Sequence, residues 1–310
     1  MSIIFYFLVP LFIGIVATFL LMKFSQKTNF LVDVSEGDAL KIHTKNISLL
    51  GGSAMVFTWL VGTVLLWRPG FHLYVIAITV GILMAFFLGF YDDLKWKHVS
   101  RIKPMQKFIL LLLCTIGSSA VLLFTGISFR FLPYSAISLL LGFAYIFVCI
   151  NAVNYQDGMD GLAGGLAAIS FLGFSLSGMA AYNGFTTMIS IIALGAVTAL
   201  LCFNFPPAKI FMGDSGAYFL GFILAVLAML LSKPYNIYSV LGPIFIIGLP
   251  IFDGVYTNIR RVLTGKSIFL GDRSHFYDKL LQKGFSTKKT LAICYGLQIV
   301  LVILGLVIIA

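Results

Sequence analysis

The stretch "AISLLLGFAYIFVCI" (Ala136–Ile150) carries no charge and runs directly into "NAVNYQDGMDGLAGG" (Asn151–Gly165), which places two aspartates three residues apart. An apolar run of this kind approaches the roughly 20 residues needed to cross hydrocarbon. It is one of many. The chain of 310 residues is 60% hydrophobic and only 10% charged, against about 45–50% and about 25% for soluble domains. Its mean hydropathy is +1.04. The pattern predicts an all-α, polytopic integral membrane protein, one transmembrane domain over 1–310. Ten spans are expected at 3–22, 47–67, 73–91, 106–126, 134–152, 164–182, 185–203, 215–232, 237–254 and 290–309. Asn183-Gly184 is the only break between the sixth and the seventh. The first segment lacks a basic lead and a small-residue cleavage site, so it is expected to be a retained span.

Charge orients these spans. One set of alternating loops (23–46, 92–105 with Lys107, 204–214 and 255–289) holds 18 of the 21 basic residues. The other face has only Arg68, Arg130 and Lys233. The positive-inside rule puts the basic face in the cytoplasm and both termini outside. The net charge of +10 is mostly this topology signal, with some attraction for anionic lipid. No basic stripe or recognition module points to nucleic acid. Cys114, Cys149, Cys202 and Cys294 all fall inside apolar segments without C-x-x-C spacing, as buried small hydrophobes do.

All eleven acids fall on the basic face, and ten are aspartate. The rule for basic residues does not require that. Seven of them fall in four stations. In "GFYDDLKWK" (Gly89–Lys97), Asp92 and Asp93 end the third span. Helical neighbours point about 100° apart, so the pair is expected to have two different roles. The plain alternative is a solvated helix end. Asn151, Asn154, Asp157 and Asp160 recur every third residue, a polar stripe if helical. Gly158 and Gly161 would break that helix and admit a ligand close to backbone. The alternative is an Asp/Asn/Gly turn. In "FNFPPAKIFMGDSGAYFLG" (Phe203–Gly221), Asp214 or Ser215 could simply cap the eighth span, although a helix N-terminus also attracts phosphate. The longest loop, "IRRVLTGKSIFLGDRSHFYDKLLQKG" (Ile259–Gly284), carries Arg260, Arg261, Arg273 and His275. Arginine forks match phosphate oxygens, while an ordinary positive-inside loop would account for most of these charges.

Carboxylates and amide oxygens suit Mg²⁺ or Mn²⁺, and Mg²⁺ usually shares itself between a few carboxylates and substrate phosphates. The chemistry implied is metal-assisted phosphoryl transfer at the membrane surface. An ion-coupled transporter is the rival of another class, but the acids cluster at one face and no span reads as broken or repeated. A CDP-alcohol phosphotransferase would continue D-G-x-x-A-R, and neither Asp157-Gly158 nor Asp160-Gly161 does so.

The same stations resemble the polyprenyl-phosphate N-acetylhexosamine-1-phosphate transferases. That family includes phospho-MurNAc-pentapeptide translocase, the bacterial GlcNAc-1-phosphate and teichoic-acid linkage initiators and their dolichol counterpart. The matching stretches are "KIHTKNISLLGG" (Lys41–Gly52), "GFYDDLK" (Gly89–Lys95), "NAVNYQDGMDGLAGG", "PAKIFMGDSGAYFLG" (Pro207–Gly221) and "GDRSHFYDKLLQKGFS" (Gly271–Ser286). Each is weak alone; five in family order are a specific signal. The resemblance implies transfer of a sugar-1-phosphate from a UDP-N-acetylhexosamine to a polyprenyl phosphate lipid, with release of UMP and a need for Mg²⁺. It implies a cell-envelope glycan as the destination, an inner-membrane location and, as an open possibility, a homodimer. By resemblance Asp92 deprotonates the lipid phosphate and Asp93 partners it near metal and diphosphate. Asn154 and Asp214 match metal positions. Asn151, Asp157 and Asp160 fall on the substrate side, Asp160 nearest the uracil. Arg273 and His275 match the loop on diphosphate and sugar, and Lys95 and Lys103 match a phosphate-contacting lysine more loosely. The translocase has a histidine run where this chain reads His275-Phe276-Tyr277-Asp278, which favours the GlcNAc-1-phosphate type. "VDVSEGDALKIH" (Val32–His43) also departs from the usual proline- and arginine-bearing lead-in.

Overall fold

A computed structural model describes residues 3–33, 47–67, 69–97, 104–131, 134–265 and 273–310. Hydrocarbon offers no partner to a backbone N–H or C=O, so apolar segments must satisfy them internally, and these do so as helices. They are α1 (Ile3–Thr28), α2 (Gly51–Thr63), α3 (His72–Lys97), α4 (Pro104–Phe124), α5 (Ser135–Gln156), α6 (Leu162–Ala180), α7 (Gly184–Asn204), α8 (Gly213–Leu231), α9 (Tyr238–Ile247), α10 (Leu249–Leu263), α11 (Phe276–Gln282) and α12 (Thr287–Ile309). Among the described residues, α1, α3, α4, α5, α6, α7, α8 and α12 are long and apolar enough to cross a membrane. The protein is an all-α, multi-pass membrane protein. The division at Asn183-Gly184 is observed: Asn183 is the N-cap of α7, its side chain accepting from Thr186 N.

Two of the ten expected spans differ. The second is shorter than its apolar sequence, because Ile47–Ser48 is extended and pairs antiparallel with Val32–Asp33. The N–H of Phe211 donates to Ser48 O at 2.8 Å, and those of Gly51 and Gly52 donate to Phe211 O (3.0 Å) and Met212 O (2.9 Å). The start of α2 is thereby stitched to the start of α8. The ninth is not one helix: α9 and α10 meet at an 88° bend. The expectation of no broken span is therefore wrong. Gly248, at φ +63°, forms the corner.

What holds that corner is a buried side chain on another span. Gln298 of α12 donates to Ile246 O (2.9 Å), Ile247 O (3.1 Å) and Ser170 Oγ (3.0 Å), and accepts from Leu249 N at 2.8 Å. It satisfies the backbone groups that the bend frees. Gln298→Leu keeps the volume and orphans them, at a cost of about 1–3 kcal/mol. The purified variant should melt several degrees lower in detergent. An unchanged melting temperature would show that the bend holds itself.

The bundle is built around α8, which packs against α3 and α5 and also touches α2 and α6. Small residues allow that closeness, as is usual between membrane helices. A Cβ on Gly89 of α3 would sit 2.6 Å from Asp214 O, and one on Gly221 of α8 would strike the backbone of Ile150 in α5. The outer helices turn large apolar side chains outward, among them Phe12, Leu113 and Val307. Cys114, Cys149 and Cys294 are buried; Cys202, expected inside, is exposed on α7.

Candidate active site

The starts of α4 and α8 and the ends of α3 and α5 meet at one end of the bundle, and their polar residues form a chain. Lys107 Nζ of α4 bridges Asp92 Oδ2 of α3 and Asp214 Oδ2 of α8, the latter at 2.7 Å. Asn154 Nδ2 of α5 donates to Asp214 Oδ1 at 2.6 Å. One cation thus stands between two carboxylates, and Tyr218 lends its ring face to the same ammonium, 5.7 Å away.

Asp93 has other partners, as its direction on the helix predicts. It is buried, and its two oxygens accept the backbone N–H groups of Asp214 (2.8 Å) and Ser215 (3.1 Å). These belong to the first turn of α8, which would otherwise lack acceptors. The cap of α8 therefore comes from Asp93 on α3, not from Asp214 or Ser215 as the local sequence allowed. Gly213 is needed beneath it: φ is +68°, and an added Cβ would lie 2.7 Å from the Asp93 carboxylate.

The polar stripe is helical only in part. α5 ends at Gln156, so Asn151 and Asn154 lie on the helix while Asp157 and Asp160 occupy the turn before α6. Asn151 Nδ2 donates to Phe147 O in its own helix at 2.8 Å. Asp157 is half-buried. Desolvation, and then the negative Asp214, Asp93 and Asp160, push its carboxyl well above the usual carboxylate range. Asp160 Oδ2 accepts from Ala208 N at 2.9 Å. With Asn204, which accepts from Gly161 N at 3.1 Å and donates to Ile210 O at 2.8 Å, it fastens the loop that leads into α8.

A second cluster lies where α10 and α11 meet the end of α5. Asp253 of α10 is buried, and so is His275, the residue before α11. Asp253 Oδ2 is 2.8 Å from His275 Nδ1 and accepts from Gln156 Nε2 at 2.8 Å; Oδ1 accepts from Phe276 N at 2.9 Å. Tyr155 and Tyr277 flank the imidazole, with ring centroids 5.2 and 6.0 Å away. A cavity of about 320 Å³ opens beside Asp253, lined by Leu249, Asp253, Tyr256, Phe276 and Lys279. Arg261 is buried beside Tyr155, and Arg260 donates to Ser274 Oγ. Arg273 is exposed, its carbonyl accepting from Gln282 Nε2 at 2.9 Å.

The structure therefore gathers Asp92, Asn154 and Asp214 into one bonded cluster, attaches Asp93 to it through α8, and sets His275 in the neighbouring one. Gln156 belongs to the second cluster and Asn154 to the first, two residues apart on α5. Lys95 lies over the Tyr91 ring, 5.5 Å from its centroid, and Lys103 falls outside the described residues, as do Lys41–Asn46 and Gly271-Asp272 of the quoted stretches. The lysine on the carboxylates is Lys107, which the loop-charge count had absorbed. Its signal was present: it opens "KFILLLLC" (Lys107–Cys114), and a cation at the head of an apolar run needs a partner. Asp253 was likewise assigned to the end of a span.

On one side Gly158 makes room for Tyr277. A Cβ there would overlap the hydroxyl of Tyr277, while the ring carbon behind it is 3.1 Å away. Gly158→Ala should displace Tyr277 and weaken the second cluster, and Tyr277→Phe in the same chain should recover most of the lost melting temperature. A double variant no better than Gly158→Ala would place the strain elsewhere.

Comparison with known proteins adds the remaining link. The family model for glycosyl transferase family 4 matches residues 75–232, a range that holds Asp92, Asp93, Lys107, Asn154, Asp157, Asp160 and Asp214. The chain is 31% identical over 265 residues to a probable undecaprenyl-phosphate N-acetylglucosaminyl 1-phosphate transferase of Bacillus subtilis, covering 82% of this chain and 71% of that protein. It is 33% identical over 180 residues to a decaprenyl-phosphate N-acetylglucosaminephosphotransferase of Mycobacterium tuberculosis, covering 52% of this chain and 45% of that protein. It is 29% identical over 272 residues to a phospho-N-acetylmuramoyl-pentapeptide-transferase of Anoxybacillus flavithermus, covering 82% of this chain and 79% of that protein. With Asp92, Asp93 and Asp214 inside the matched range, the chain belongs to glycosyl transferase family 4.

Proposed function

We propose that this protein transfers N-acetylhexosamine-1-phosphate, most simply GlcNAc-1-phosphate, from a UDP-sugar to a polyprenyl phosphate. UMP is released, and the lipid product starts a cell-envelope glycan. The observation that carries this is the Lys107-bridged pair Asp92 and Asp214, with Asn154, at one end of an apolar bundle. A lipid tail can lie against the spans while its phosphate reaches this cluster. In the transfer, an oxygen of the lipid phosphate attacks the sugar-bearing phosphorus, the bond to the bridging oxygen breaks, and its electron pair leaves with UMP. Asp92 removes the proton from the lipid phosphate, and Lys107 offsets the charge that gathers there. Asp157 and Asp160 are assigned to the nucleotide side of the site.

The donor set fits an oxygen-preferring divalent ion. Asp214 supplies carboxylate oxygen, and Asn154, whose NH₂ is engaged by Asp214, keeps its carbonyl oxygen as a ligand. Mg²⁺ binds through one or two carboxylates and takes its other ligands from phosphates. When bound, such an ion neutralises charge on the diphosphate.

The 18 basic residues on one face of the loop pattern support an inner-membrane protein whose site opens to the cytoplasm. Phospho-MurNAc-pentapeptide transfer is the second reading, favoured by relatives of that name. One assay separates the two. Purified protein in micelles with undecaprenyl phosphate is given a panel of UDP-sugars, with and without EDTA. UMP and a lipid-linked sugar should form with UDP-GlcNAc, stop with EDTA and return with Mg²⁺. Turnover of UDP-MurNAc-pentapeptide alone would select the second reading, and full turnover in metal-free buffer would remove the metal from the mechanism.

A further inference from the structure

Every partner of Asp253 faces it with nitrogen. Gln156 Nε2 and the backbone N–H of Phe276 can only donate to it, so its two oxygens act as acceptors. The third partner is His275 Nδ1, at 2.8 Å on the oxygen that Gln156 also holds. His275 is at the same time the N-cap residue of α11, in a capping box with Asp278. That role would ask the ring to accept from the Asp278 backbone N–H, which requires Nδ1 without a proton. The ring does face the Asp278 backbone N–H, but the return half of the box, His275 N to Asp278 Oδ2, is long at 3.3 Å, and Thr257 Oγ1, 3.4 Å from the same Nδ1, can take either role toward it. The short contact to a carboxylate wins over the cap.

We infer that Asp253, backed by Gln156, is a positioning residue that holds the His275 ring proton on Nδ1 and so leaves Nε2 as the ring's acceptor, for an O–H of the substrate. The ring assignment stands on this geometry; the identity of the donor, a hydroxyl of the nucleotide sugar, rests on the transferase reading above. An acid behind a histidine fixes tautomer and orientation without itself touching the reacting atoms. Gln156 precedes Asp157 in the turn of the first cluster, so the same helix end that carries Asn154 also anchors this histidine.

The test reads the nitrogens directly. The chain has four histidines, and in ¹⁵N-histidine-labelled protein the His275 signals are those lost in His275→Gln. Nδ1 should resonate in the N–H-bearing, pyrrole-type range and Nε2 in the pyridine-type range. A pyridine-type Nδ1 would overturn the assignment, because the proton would then sit on Nε2 or on Asp253. In the transferase assay Asp253→Asn should cut kcat by about 10- to 100-fold and leave KM for the UDP-sugar nearly unchanged. Combined with His275→Gln it should be no slower than His275→Gln alone, since both changes remove one device. Losses that multiply in the double variant would mean that Asp253 acts independently, and the positioning role would fall. The nitrogen shifts are read without substrate, so they decide the Asp253–His275 assignment even where the transferase assay itself fails.

Discussion

Asp92→Asn should lower turnover by about 10²–10⁴-fold, the usual worth of a general base, while UDP-sugar binding and thermal stability stay close to those of the parent protein. Asparagine keeps the shape of aspartate and can still accept from Lys107, so the bridge to Asp214 persists without the charge that takes a proton. Asp93→Asn should behave in the opposite way. Its carboxylate receives two N–H groups from the first turn of α8, and an amide would turn an NH₂ toward one of them. A lost cap costs about 0.5–2 kcal/mol, and the lost charge at a helix N-terminus adds to it. Melting curves in detergent beside single-turnover assays separate the two carboxylates. Near-normal turnover of Asp92→Asn would reject its role as a base, and lost binding in place of lost turnover would make it a positioning residue.

Lys107→Met should be the most disruptive single change at the site. It leaves Asp92 and Asp214 facing each other without their shared cation. Breaking a buried pair costs about 3–5 kcal/mol, and an exposed one is worth under about 1 kcal/mol. With the Lys107 side chain about one-third exposed, the expected loss is about 1–3 kcal/mol. A divalent cation should restore part of that loss, because two uncompensated carboxylates then have reason to bind it. The measurement is a thermal melt of the variant with EDTA and with Mg²⁺. A melting temperature insensitive to Mg²⁺ in Lys107→Met, with the parent protein equally insensitive, would remove Asp92 and Asp214 as a shared cation site.

Several features of the architecture could be read without coordinates, and for one reason. Apolar length and charge asymmetry report the environment of a segment, and hydrocarbon permits so few backbone arrangements that environment nearly dictates conformation. Hence the helices at Ala136–Ile150 and its counterparts, the break at Asn183-Gly184 and the gathering of Asp92, Asp93, Asn154, Asp157 and Asp214 near one end of the bundle followed from the chain. Partners are another matter. Lys107 meets Asp214 across 107 positions of sequence, Asp93 caps a helix 121 positions away, and Gln156 reaches Asp253 across 97. Nothing in the local pattern of "KPMQKF" or "LPIFDG" names those partners. The same holds for the corner at Gly248: its residues read as one span, and the bend is stable only because Gln298 arrives from α12 to take up the hydrogen bonds that the corner leaves open. Composition determined that this protein is a bundle of membrane helices with acids at one end. Which acid faces a lysine, which caps a helix and which holds a histidine was decided by packing, because only packing sets the distances over which charges and hydrogen bonds act.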